Sequence, residues 1–264
     1  MIGNTHTGIR AWAFPLFIGF SGASMLTQIL AVIISLTPQS NYFQVGSVFP
    51  TLTILFAIAA LICGTLDAIL TNRNSSEAKA PSPAMLPAGI GLLISAVGLL
   101  IQGTSTLATV SVVFSLVGAL YCILSSIKSL ANAACNVFLC FGATISCASL
   151  TIYHYFDFTI EMNAPLKLSL QLAALCAMLF FIGEARDRLS KPDSPIYRAI
   201  TAWTVLSGAV ASVPTIFAFL LGKIDRIDYL TCAIALLGIT ASATLRLLEG
   251  KRAPKADPQS DMNI

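Results

Sequence analysis

An all-α, polytopic transmembrane helical bundle is the fold class that three features of this sequence predict. Only 10% of its 264 residues are charged, where a soluble domain carries about a quarter. Hydrophobic residues make up 56%, and the mean hydropathy is +0.83. Uninterrupted apolar runs of about 18 residues or more recur, each long enough at ~1.5 Å per residue to cross a hydrocarbon core of about 30 Å. The short alternating segments of an outer-membrane barrel are missing.

In chain order, hydropathy places eight spans near 11–36, 48–70, 85–102, 108–127, 131–152, 168–183, 199–221 and 229–247, a single bundle domain over 1–249. The first follows a basic flank, as a secretory signal would, but exceeds a typical signal core and is expected to be retained. A short loop with polar residues, 37–47, leads to the second. A Pro-containing polar loop, 71–84, leads to the third. The third and fourth are separated by a short polar turn, 103–106, so they predict a tight hairpin; a re-entrant pair would leave six crossings with the same orientation. After the eighth, residues 250–264 are expected to be a flexible cytoplasmic tail.

Orientation follows from the basic residues, which are retained on the cytoplasmic side of span ends. An even number of spans with the amino terminus inside puts twelve of them there: Arg10, Arg73, Lys79, Lys128, Arg186, Arg188, Lys191, Arg198, Arg246, Lys251, Arg252 and Lys255. Only Lys167, Lys223 and Arg226 fall outside. Both termini are therefore expected in the cytoplasm. Small residues four apart, namely Ala60 with Gly64, Gly91 with Ser95, Gly208 with Ser212, and Gly238 with Ser242, predict close helix packing.

The fifth span carries the most polar helical face. At about 100° per residue, Asn132, Asn136, Cys140, Cys147, Thr151 and His154 fall on one side of it. Amides in hydrocarbon need partners, so this face is expected to bond across to other helices or to line a pathway. If the helix continues past His154, then Asp157 and Glu161 join it at spacings of three and four, a set able to carry a proton or, less readily, a divalent cation. The alternative is an interfacial loop with an aromatic belt of Tyr153, Tyr155, Phe156 and Phe158, and Pro165 ending any helix there. Lys167 and Gln171 follow one turn apart. Asp67, in the last turn of the second span, and Gln28, in the first, are further polar candidates within spans. Glu184 and Arg188 are spaced as a solvated i, i+4 pair.

The segment with YHYFD, MNAP and LQLAALCAMLFFIGEARDR, from Tyr153 to Arg188, resembles parts of uncharacterised bacterial multi-pass membrane proteins. That resemblance implies a bacterial cytoplasmic (inner) membrane and brings no activity with it.

Several chemistries lack their signatures. There is no phosphate-binding Gly-rich loop, HExxH helix or GxSxG elbow. Two histidines, one of them His6 near the start, do not make a bis-histidine haem site, and the seven cysteines form no CxxC pair. No cofactor and no nucleic acid are expected; the expected partners are the lipid bilayer and other membrane proteins. The expected function is a small-molecule or ion transport component. A membrane sensor or assembly protein is the alternative, and a membrane-embedded metal-dependent enzyme the third choice.

Overall fold

The computed structural model describes residues 3–38, 41–70, 83–102, 105–127, 137–188 and 195–252. These residues form eight long helices: α1 Gly3–Leu30, α2 Phe49–Leu70, α3 Leu86–Gln102, α4 Thr106–Ser126, α5 Val137–Tyr155, α6 Pro165–Arg188, α7 Pro195–Leu220 and α8 Ile227–Arg252. A π-helical turn, Ala31–Ser35, extends α1, and a 3₁₀ turn, Pro83–Met85, precedes α3. All eight contain a stretch long and apolar enough to cross a membrane. Helices satisfy their own backbone groups, which hydrocarbon cannot do for them.

The local signals that start these helices are ordinary ones. Ser105 accepts a hydrogen bond from the Ala108 N–H and caps α4. Proline opens both α6 and α7, where its missing N–H costs nothing. α3 with its 3₁₀ turn gives a candidate span of 20 residues and α4 one of 21, each long enough for a full crossing, as the hairpin of two spans requires. Compared with the hydropathy boundaries, α6 begins earlier, at Pro165, and α8 continues to Arg252. Most of the expected tail, and residues 131–136 of the fifth span, lie outside the described residues.

Neighbouring helices alternate in direction, as cross-helix contacts at both ends show. Gln102 at the end of α3 and Tyr153 at the end of α5 both meet Asp228 at the start of α8. At the opposite end, Ala88 of α3 donates to Ser242 of α8, and Glu184 of α6 meets Tyr197 of α7 and Arg246 of α8. The start of α1 and the end of α8 share this second end, called here the terminal end; the first is the loop end. α3, α5 and α8 form the middle, each 56% buried along its span, whereas α2 is 28% buried and turns Ile54, Leu55, Ile58, Ile62 and Ile69 outward to lipid.

Small residues set the closest approach. A Cβ on Gly91 would lie 2.9 Å from the Cα of Ala235, and one on Gly238 2.3 Å from the carbonyl oxygen of Pro87, so α3 and α8 pack backbone to backbone. At the loop end, the Lys223 amine donates to the carbonyls of Val32, Ile33 and Leu36 at 2.7, 3.0 and 2.9 Å. It answers acceptors that the end of the first span leaves without helical partners.

Candidate functional site at the loop end

α5 stops at Tyr155, which leaves His154 in its last turn. The chain then turns because the Asp157 carboxylate accepts from the backbone N–H of Thr159 (3.1 Å) and from its hydroxyl (2.6 Å), a local pairing that competes with helix. Lys167, in the first turn of α6, reaches back and donates to the carbonyls of Asp157 and Ile160, closing the loop from below. Its side chain is 1% exposed overall, held by backbone acceptors instead of snorkelling to water.

Arg226, just ahead of α8, joins this loop to the bundle. Its guanidinium donates to both oxygens of Asp228, to the Thr159 hydroxyl, and lies 3.4 Å from Asp157. Each carboxylate also accepts from a tyrosine: Tyr153 donates to Asp228 at 3.0 Å and Tyr229 to Asp157 at 3.2 Å. Gln102 accepts from the Asp228 N–H at 2.8 Å, which brings α3 into the same network. Asp228 also sits in the first turn of α8, where a negative charge complements the helix dipole.

His154 lies inside this ring of charges. Its imidazole stands edge-on to Tyr229 and Tyr153, with ring centres 4.6 and 5.3 Å away. It is 1% exposed, and neither Nδ1 nor Nε2 has a hydrogen-bond partner. One turn below Lys167, the Gln171 amide nitrogen is likewise buried and unpartnered. Buried polar atoms without partners are uncommon in folded proteins, and two side chains of this kind border one charged cluster.

Burial pushes the Asp157 carboxyl up, but the hydrogen bonds from Thr159, the Arg226 charge and the Tyr229 hydroxyl outweigh it and hold the group below its ordinary value. Hydrogen bonding to Asp228 raises Arg226 above its own. A carboxyl depressed in the folded state adds stability that is complete above its unfolded value, about 4, and is lost as the pH falls through the folded value. Asp157→Asn should therefore lower the melting temperature more at pH ~7 than at pH ~3. Scanning calorimetry of both proteins in detergent checks this, and equal gaps at the two pH values would show that the carboxylate is not held.

The structure brings His154, Asp157 and Lys167 together, but not as one helical face. α5 does not continue to Glu161; the interfacial-loop alternative forms instead, with Tyr155, Phe156 and Phe158 exposed, and Glu161 is exposed and hydrogen-bonded to Tyr42 of the first loop. Pro165 opens a helix instead of ending one. Among the described residues no group of three His, Cys, Asp or Glu side chains could hold a metal ion. Asn132 and Asn136 lie outside the described residues. The described part of their face does turn inward, with Cys140, Cys147 and His154 buried at seven-residue intervals. Asp67 is buried near the terminal end of α2, and Gln28 is buried on α1.

Arg226, Asp228, Tyr229 and Gln102 were not among the expected site residues. The sequence signal of the first three is the run Arg226-Ile-Asp228-Tyr229 at the edge of an apolar span, and Gln102 closes another span; both look like ordinary solvated boundaries. A second cluster was missed at the terminal end, where Arg246 pairs with Glu184 at 3.0 Å and Tyr197 donates to the same carboxylate. Glu184 is 1% exposed, so it does not belong to a solvated helix end. Between the clusters run buried thiols: Cys122 toward Glu184 and Arg246, Cys232 toward Asp228, and Cys140 and Cys147 near them.

No family model, no curated protein and no solved structure matches this chain.

Proposed function

We propose that this integral membrane protein is a transport component for a small solute or ion, with the loop-end cluster as the place where that species is bound. The observation that carries the reading is His154, buried inside a network of two carboxylates and two cations with both ring nitrogens unpartnered. Ionisable groups within spans are costly and mark solute or ion pathways. The inward polar face of α5 and the second charged cluster at the other end of α8 support a route along the bundle interior.

We place the terminal end in the cytoplasm, on the twelve-to-three distribution of basic residues. The three cations of the loop end are each engaged within the fold: Lys167 and Lys223 on carbonyls, Arg226 on carboxylates.

Single cysteines on a cysteine-free background test the reading in intact cells. A membrane-impermeant methanethiosulfonate should modify positions 154 and 171, while the outward-facing positions 152 and 172 stay silent. Silence at 154 and 171 under every condition would overturn it, and would turn attention to a sensor or assembly protein locked by this network.

A further inference from the structure

Resting on the transport reading, we infer that the species bound at this cluster is the proton, and that His154 receives it in exchange for the grip of Arg226 on Asp157 and Asp228. The charges facing the imidazole are Asp228 of α8, Arg226 before it, Asp157 of the loop and Lys167 of α6, with the hydroxyl-bearing rings of Tyr153 and Tyr229 on either side. Two positive and two negative groups balance, so the cluster accommodates a neutral ring. A proton added to either ring nitrogen makes an imidazolium with two N–H donors, and burying such a charge without a counter-ion is costly.

Among the described residues the anions of the cluster are the two carboxylates, and both already hold Arg226. Lys167 does not compete, because it is committed to backbone carbonyls. Proton uptake on His154 and retention of Arg226 are therefore alternatives. The proton comes from water at the loop end, the ring nitrogen lone pair takes it, and the imidazolium replaces the guanidinium beside a carboxylate. Arg226 also ties the Asp157–Thr159 turn to the start of α8. Its release would free that loop, coupling protonation to opening of the loop end.

Other ligand classes fit these groups less well. A hard divalent cation needs about six or more oxygen ligands, but the carboxylate oxygens are already taken by Arg226, Thr159 and the two tyrosines. An anion would need cations that are not already engaged. A proton needs one lone pair, and His154 offers it.

The test uses the full chain in proteoliposomes with trapped pyranine and an inside-negative potassium diffusion potential set by valinomycin. Removing the competing cation by Arg226→Gln should raise proton entry about tenfold over wild type, the effect of one nearby charge. Adding His154→Gln should return it to the level of protein-free vesicles. Entry in Arg226→Gln no faster than in wild type, or entry that survives His154→Gln, would overturn the inference.

Should Arg226→Gln fail to assemble, ¹⁵N-histidine NMR of otherwise wild-type protein decides. The chain has two histidines, so His6→Gln leaves the His154 ring as the only signal. Its nitrogens should pass from neutral to charged as the pH is lowered; a ring that stays neutral down to the pH at which the protein unfolds would sink the idea. Methanethiosulfonate access at positions 154 and 171 without proton movement would leave the transport reading standing and remove the proton alone.

Discussion

Replacing Arg246 with alanine should destabilise the bundle by about 3–5 kcal/mol, because it strands the Glu184 carboxylate without its cation in a site that excludes water. Arg246 and Glu184 meet at 3.0 Å, with side chains 4% and 1% exposed. The Tyr197 hydroxyl donates to the same carboxylate, so α6, α7 and α8 are joined at one point. Arg246 also reaches Glu249 one turn along α8, but that partner is largely exposed and contributes little. Truncation therefore costs the desolvation of an unpaired charge more than it costs a contact. The double variant Glu184→Gln with Arg246→Met should recover part of the loss, since it removes both charges and keeps the volume. Thermal unfolding of the three proteins in one detergent measures this. A double variant no better than Arg246→Ala would show that the pair is not the source of the effect.

Gly238→Ala is expected to be strongly destabilising, because among the described glycines its Cβ would make the closest contact with backbone. Its Cβ would sit 2.3 Å from the carbonyl oxygen of Pro87 and 3.1 Å from that carbonyl carbon, and backbone atoms cannot rotate away as a side chain would. The opposing strip is pinned one residue further on, where the Ala88 N–H donates to Ser242 at 3.0 Å. The two helices must separate, and overpacking of this kind costs about 1–3 kcal/mol or more. The disturbance reaches the loop end, because α3 also supplies the Gln102 carbonyl that holds Asp228. Gly22 of α1 is the control: a Cβ there meets nothing within 4 Å, and Gly22→Ala should be neutral or stabilising by up to ~1 kcal/mol. The fraction of each variant that stays monodisperse after a fixed heating step separates them. Equal losses at both positions would mean that helix propensity, and not the α3–α8 contact, governs the result.

Helical content, the number of spans and the separation of α3 from α4 were legible in the sequence because the cost of placing a segment in hydrocarbon is local and nearly additive along it. The inward face of α5 was legible for a similar reason, since a fixed helical repeat converts spacing into direction. The loop after His154 was not, because helix and turn were both available to it. The choice went to the Asp157–Thr159 pairing and to Lys167, whose amine finds carbonyls only once α6 folds back beside the loop.

The charged clusters lay further out of reach. Arg226 and Asp157 are 69 residues apart, and Glu184 and Arg246 are 62 apart. Each of these side chains lies near the end of a span or in the loop beside it, where water is the default expectation. The sequence by itself determined that this chain is a polytopic helical bundle with its basic residues gathered at one end. Only the tertiary structure decided which of its charges are buried, since burial of a span end depends on which distant helix covers it.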